Sequence, residues 1–561
     1  MTGPVPPLTT DRRLGAGAVL RCGASAPYRA IELTDGERHV LRDEFAAAGQ
    51  PGAPVVKENN GGARRPLACL VHVTDLQLAD VQSPTRFEFL NRFFADPRYA
   101  GVVPVQRPQE ALTPHAVDAT LRTVNAVRGP ATGAAPQLVV TTGDAIDNAQ
   151  WNEAQLFLAL FEGGLVTPNS GAAGYAGVQA LDWPDDIFWK PDGTGPDGPD
   201  FFRREFGFPN HPGLLDFALR SFPASGLRIP WLSCFGNHEA LNQGVGRATP
   251  GIAAALVGDR KPVGPPDGFD HDQALELFTT SPEVFMTGPS RPVAADRGRR
   301  PVTRQEFVAA HLRPGAEPLG HGFTEANRRD GIAYYVHDTP AIRFIALDTN
   351  CLAGGADGCL DQTQARWLAD RLAEVHSEYR AASGERVRTG HADRLVVLFS
   401  HHGVDTLTNT RYGHRGPDGE PLVGAAEFLA LLHRFGNVVL WLNGHTHINS
   451  VRARRDPAGL GRGFWEVTTC AVVDWPCQTR VVEFTDAAGE LAITCTMVDH
   501  DSPLAARSLD RAADLAALHR ELAANVPVIG AANLGRAGLP TDRNVELRLP
   551  APFPLTRLPT S

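Results

Sequence analysis

Cys234-Phe235-Gly236-Asn237-His238-Glu239 follows the apolar run Ile229-Pro230-Trp231-Leu232, which reads as a buried strand. The turn that ends it presents four unlike groups at one sheet edge. Gly236 permits a tight turn and close backbone approach. Asn237 offers a neutral amide oxygen, and His238 carries a proton that moves near neutral pH. Glu239 is a carboxylate able to orient that imidazole. Any loop can contain these letters. The weight therefore falls on whether other strands deliver metal-binding groups to the same edge.

Four other apolar runs end in the same manner. Ala68–Val73 leads into Thr74-Asp75-Leu76-Gln77, and Gln137–Thr141 into Thr142-Gly143-Asp144. Leu395–Phe399 leads into Ser400-His401-His402-Gly403, and Val438–Leu442 into Asn443-Gly444-His445-Thr446-His447. Open α/β sheets place their sites in loops at the carboxyl ends of strands. His445 and His447 alternate onto one side of an extended segment. The donors are carboxylates, imidazoles and amide oxygens, with no thiolate, a set that suits Mn²⁺, Fe or Zn²⁺ over a cysteine-type zinc site.

The motif order Asp-x-Gln, Gly-Asn-His-Glu, Ser-His-His and Gly-His-Thr-His, with Gly143-Asp144 in second place, resembles the calcineurin-like metallophosphoesterase superfamily over roughly Ala68 to Thr469. The resemblance implies an α/β fold, a four-layer α/β/β/α sandwich with a binuclear metal centre on one edge. It implies one divalent ion held by Asp75, Gln77, Asp144 and His447 and a second held by Asp144, Asn237, His401 and His445, with Asp144 bridging. His401, directly after Ser400, matches the ligand position, and His402 is left as a substrate-side group. The implied reaction is hydrolysis of a phosphodiester, phosphomonoester or nucleotide diphosphate by in-line attack of a metal-bridging hydroxide. His238 would protonate the departing oxygen, with Glu239 holding its ring. The competing reading is a non-catalytic metal- or ligand-binding relative of the same fold.

Gln77 departs from the pattern, which has His at that place. An amide oxygen is a harder, weaker ligand than imidazole, which biases the first ion toward Mn²⁺ or Mg²⁺. Asp-x-Gln followed by Leu78-Ala79-Asp80 also resembles the manganese-dependent ADP-ribose/CDP-alcohol diphosphatases and longer actinobacterial members of unassigned substrate. The expected partner is a small phosphorylated molecule, a nucleotide among the options. Asn237 and His321 (in Gly320-His321-Gly322-Phe323) are further candidates for contacting it. Arg480 is expected either on a phosphate or in a structural salt bridge.

The remaining chain bounds these readings. A chain of 561 residues, 43% hydrophobic and 21% charged, is a globular protein, and its net charge of -10 argues against general nucleic-acid or anionic-membrane binding. No run approaches a membrane span, and the N-terminal stretch has no signal-type apolar segment. Eight cysteines without a Cys-x-x-Cys pair complete the expectation of a reduced, cytoplasmic protein. Residues 1–66 read as an irregular extension with one helical pattern near Glu37–Ala48, and 67–500 as the main domain. That domain carries Gly/Pro-rich insertions at about 163–228 and 240–330; 501–561 reads as a helix and a Pro-rich, surface-packed tail.

Overall fold

The computed structural model describes residues 5–45, 64–196, 198–413, 419–457, 459, 463–526 and 535–559. Two mixed β-sheets and flanking helices make this an α/β protein. The first sheet has seven strands in the order Val40–Arg42, Val545–Pro550, Glu490–Asp499, Gln478–Ala487, Arg65–Val73, Leu138–Thr141 and Trp231–Leu232. The second has six, in the order Tyr335–Asp338, Ile342–Ala346, Leu395–Phe399, Val438–Asn443, Phe464–Thr468 and Ser450–Arg454. Within each sheet the strands that precede the polar motifs run parallel to one another.

The period-2 alternation of the central strands assigns their faces. Ile342, Phe344, Ala346, Leu395, Val397, Phe399, Leu440 and Leu442 join one core with Val71, Val73, Val139, Val481 and Ile493 of the first sheet. The alternate residues Ile345, Val396, Leu398 and Trp441 form a separate core with Leu368 and Leu372 of helix Gln362–Ala373 and Phe428 and Leu432 of helix Ala425–His433. Asp361 starts the former helix by accepting the Gln364 backbone N–H at 2.7 Å. Helices Thr113–Val124 and Trp151–Glu162 bury Val117, Leu121, Phe157 and Phe161 in the first core. No helix among the described residues is long and apolar enough to cross a membrane. All eight cysteines are free thiols.

Both ends of the chain depart from expectation. Arg12–Cys22 and Pro27–Asp35 form an antiparallel hairpin. Val40–Arg42, inside the stretch read as helical, is an edge strand parallel to Val545–Leu547; the last part of that stretch lies outside the described residues. The Pro-rich tail contains the strand Val545–Pro550, with Val545, Leu547 and Leu549 buried in the first core. Five residues of clean alternation, Val545-Glu546-Leu547-Arg548-Leu549, are hidden there between prolines. The strand Phe464–Thr468 is antiparallel to Ser450–Arg454 but parallel to Val438–Asn443. In the 163–228 insertion Trp183 and Trp189 are buried, as their size demands.

Candidate metal centre

The loops after five parallel strands, three from the first sheet and two from the second, converge on one cavity. Asp75, Gln77, Asp144, His445 and His447 all stand in left-handed backbone conformation, with φ of 52°, 43°, 52°, 69° and 59°. For a residue with a Cβ this costs about 1–2 kcal/mol each and persists only where the surroundings dictate it. Here it turns the side chains back over the sheet edge. Two glycines permit the crowding: a Cβ on Gly236 would lie 2.2 Å from Asp144 Oδ1, and one on Gly444 would lie 2.1 Å from Thr74 Oγ1.

The donor atoms meet in two groups. Asp75 Oδ1 lies 3.2 Å from His447 Nε2. Asp144 Oδ2 lies 3.0 Å from His401 Nε2, which is 3.2 Å from His445 Nδ1. Ligand atoms of Asp75, Asp144 and His401 lie within 4.8 Å of one another. Each histidine uses its far nitrogen elsewhere. His401 Nδ1 donates to the Thr142 carbonyl at 2.7 Å, His447 Nδ1 to Asp474 at 2.7 Å, and His445 Nε2 faces Asp357 at 3.8 Å. Such partners fix ring orientation and leave the other nitrogen for a cation. The amides follow the same logic. Asn237 Nδ2 donates to Gly244 O at 2.9 Å and Gln77 Nε2 sits 3.1 Å from His238 Nε2. Gln77 Oε1, Asn237 Oδ1 and Asp75 Oδ1 are left buried without a hydrogen-bond donor. Other buried oxygens, such as those of Gln109, Gln179 and Asn350, also lack donors; what sets these three apart is their place, since Gln77 and Asn237 line the cavity with His445 and His447 and Asp75 lies 3.2 Å from His447, where bound cations would satisfy them.

The charges are mutually dependent. Burial pushes the Asp144 carboxyl up, but His401 and His238 outweigh it and hold the group far below the usual carboxylate range. Burial pulls His401 down, yet the Asp144 carboxylate beside it raises the ring to about 9.

Three sequence assignments are corrected by the geometry. Glu239 does not touch His238. Its buried carboxylate accepts backbone N–H groups of Gly236, Asp144, Ala145 and Ile146 at 2.6, 2.9, 2.6 and 3.2 Å. The His238 ring is instead held through Nδ1, 2.6 Å from the Asp147 carbonyl, and Asp147 is backed by buried Arg86 at 2.9 Å. His402 does not face substrate. Its Nδ1 accepts from Thr349 Oγ1 and its Nε2 donates to Ala356 O, both at 2.8 Å. Burial, His445 and His401 hold it neutral. A ring nitrogen of His402 does fall within 4.8 Å of nitrogens on His401 and His445, but these two hydrogen bonds already occupy it.

His321 lies away from the cavity, buried behind strand Trp231–Leu232 and stacked on Trp231 at 3.7 Å between ring centres. Burial lowers it to about 4 and lowers its neighbour His311 to about 3. Both folded-state values lie below the ordinary 6.5, so the unfolded chain binds more protons between the two. Stability from these residues is full above 6.5 and falls as pH drops toward 4. His321→Phe is expected to flatten the fall in melting temperature between pH 7 and 4.5 and to leave turnover unchanged. A loss of turnover would return His321 to the site. Arg480 is also structural. Its donors go to Thr469 Oγ1, Asn449 Oδ1 and the carbonyls of Asp542 and Arg543; it pairs with no carboxylate among the described residues and does not line the cavity.

The cavity, about 180 Å³, is lined by Gln77, Asp144, Asn237, His238, His445 and His447 on one side and by Val102, Pro104, Val105 and Val245 on another. The 240–330 insertion contributes Gln243 and Val245, whereas no described residue of the 163–228 insertion lines it. Sequence reading missed Asp474, Arg107 and Arg536. Asp474 is held at 2.9 Å by Arg107 and is also paired with Arg536. No local pattern marks them, because Arg107 lies 367 residues and Arg536 62 residues from Asp474 in the chain. A scan against protein-family models finds no match to the chain, and a search of curated proteins finds none either.

Proposed function

We propose that this chain is a binuclear metal-dependent phosphoesterase of the calcineurin-like type, its two sheets and their helices forming the α/β/β/α sandwich of that fold. The observation that carries the reading is the set of orphaned oxygens and half-tied histidines. Three buried oxygens lack donors; His401 and His447 each donate to an oxygen through Nδ1 and turn Nε2 toward Asp144 and Asp75, and His445 sets Nδ1 3.2 Å from His401 Nε2. Asp75, Gln77, Asp144 and His447 would hold one ion, and Asp144, Asn237, His401 and His445 the other. Mn²⁺ suits the amide and carboxylate donors, with Fe or Zn²⁺ as the pairing the imidazoles favour. Two such cations, when bound, supply the positive charge that clamps a phosphoryl group and lowers the pKa of a water.

The chain's own residues do the rest. Asp144 accepts the His238 backbone N–H at 2.9 Å, which sets the ring beside the centre. Asp147 and Gln77 fix its plane: Nδ1 donates to the Asp147 carbonyl and Nε2 accepts from the Gln77 amide, so Nε2 serves the departing oxygen only after it releases Gln77 and takes up a proton at the cavity wall. The substrate is a small phosphodiester, phosphomonoester or nucleotide diphosphate.

The test is metal content together with hydrolysis of bis-p-nitrophenyl phosphate, p-nitrophenyl phosphate, ADP-ribose and CDP-choline with Mn²⁺. Two bound equivalents and no turnover on any of them would overturn the proposal in favour of a binding protein. His238→Ala is expected to keep both ions and lower kcat by roughly 10²–10⁴-fold. Loss of an ion in that variant would make His238 a ligand instead.

A further inference from the structure

Arg107 and Arg536 share one carboxylate. Arg107 Nε donates to Asp474 Oδ1 at 2.9 Å, and Arg536 Nη1 pairs with Asp474 Oδ2 and lies 3.0 Å from His447 Nδ1. Their side chains are only 12% and 10% exposed. Two guanidinium charges against one carboxylate leave a net positive charge in a largely desolvated place, an arrangement that costs energy unless a further anion completes it. A guanidinium carries five N–H donors, and these contacts use one nitrogen of each. Both residues line the same cavity as Gln77, Asp144 and His238. Neither belongs to a sheet strand. Arg107 comes from the loop before Glu110–Leu112 and Arg536 from the segment before Val545–Pro550, so two separate excursions of the chain bring positive charge to one wall.

We propose that Arg107 and Arg536 form a subsite for a second anionic group of the substrate, a phosphate or carboxylate attached to the phosphoryl group that is cleaved. The subsite rests on the phosphoesterase reading for its position beside the reacting group. The planar forks suit the oxygens of either anion, and their sharing of Asp474 fixes them before the ligand arrives. The chain would then prefer substrates with two neighbouring anionic groups over simple monoesters. The alternative is that the pair only positions Asp474, and through it His447.

The experiment titrates the Mn²⁺-loaded full chain with inorganic phosphate, pyrophosphate and phosphonoacetate by calorimetry. Pyrophosphate, phosphonoacetate or both are expected to bind about tenfold or more tightly than phosphate, and the identity of the tighter ligand names the second group. Arg107→Gln and Arg536→Gln are each expected to cut that ratio by roughly five- to tenfold, with phosphate affinity and Mn²⁺ stoichiometry within about twofold of the parent. An unchanged ratio overturns the subsite. So does a variant that loses Mn²⁺ while its ratio persists, since that marks a positioning role alone. If a glutamine variant does not fold, Arg107→Lys keeps the charge beside Asp474 without the fork, and the same reading applies. A ratio that depends on both arginines without hydrolysis of any ester would sink the phosphoesterase and leave the anion site standing. Hydrolysis with an unchanged ratio would do the reverse.

Discussion

Asp144→Asn is expected to lower kcat/KM by about 10³-fold or more and to remove at least one Mn²⁺ equivalent. The magnitude reflects a residue that faces both donor groups: a bridging charge lost from a two-ion site is worth several kcal/mol, and each 1.36 kcal/mol is tenfold. The fold should survive. The asparagine Oδ1 can still accept the His238 backbone N–H that Asp144 accepts at 2.9 Å. The substitution does remove a carboxylate that His401 and His238 hold far below the usual range, an attraction that outweighs its repulsion of Asp75 in the metal-free chain. The melting temperature without metal should therefore fall at neutral pH, and the increase on adding Mn²⁺ should shrink as well, because a ligand stabilises only through its affinity for the folded state. Thermal scans with and without Mn²⁺, alongside metal analysis, check both halves. Full stoichiometry with turnover within tenfold of the parent would remove Asp144 from the bridge.

Glu239→Ala is expected to destabilise the chain by on the order of 3–5 kcal/mol. One carboxylate satisfies four buried backbone N–H groups, those of Gly236, Asp144, Ala145 and Ile146. Each stranded donor costs roughly 1–3 kcal/mol. Part of the total is offset, because burial and the neighbouring Asp144 push the Glu239 carboxyl up to about 7, so removing it relieves a desolvated acid. The four donors belong to the turns that carry Asp144 and Asn237, so metal affinity should fall together with stability. Glu239→Gln keeps the volume but turns an amide N–H₂ toward N–H donors, and it should recover only part of the loss. Denaturant titration decides the matter. Native stability with a selective fall in kcat would instead show Glu239 acting on His238.

The legible parts of the chain were those where the decisive information is local. Asp75, Gln77, Asp144, Asn237, His401, His445 and His447 each follow an apolar strand by two to five residues, and a strand end fixes the edge to which its loop belongs. The structure brings all seven together: five line one cavity, and Asp75 and His401 stand behind it, 3.2 Å from His447 and 3.0 Å from Asp144. The three reassigned residues failed for a common reason. Glu239 is adjacent to His238 in sequence, yet its partners include the Asp144 loop 95 residues earlier. His402 is adjacent to His401, yet the Ala356 carbonyl claims its ring. His321 sits in a glycine-rich loop that made it a candidate for contacting the substrate, yet stacks on Trp231.

By itself, then, the sequence determined which strands exist in the centre of the chain, their alternating faces, and the chemical identity of the donors at their ends. Apolar period and residue type are properties of a short segment and survive without knowledge of the rest. Only the tertiary structure decided the edge strands at the two termini and the anchoring of Asp474 by Arg107 and Arg536. It also decided which polar side chains near the centre face the cavity and which face backbone. Those outcomes depend on which distant group satisfies a buried donor or charge, and that choice is made across hundreds of residues when the sheets and loops close over one another.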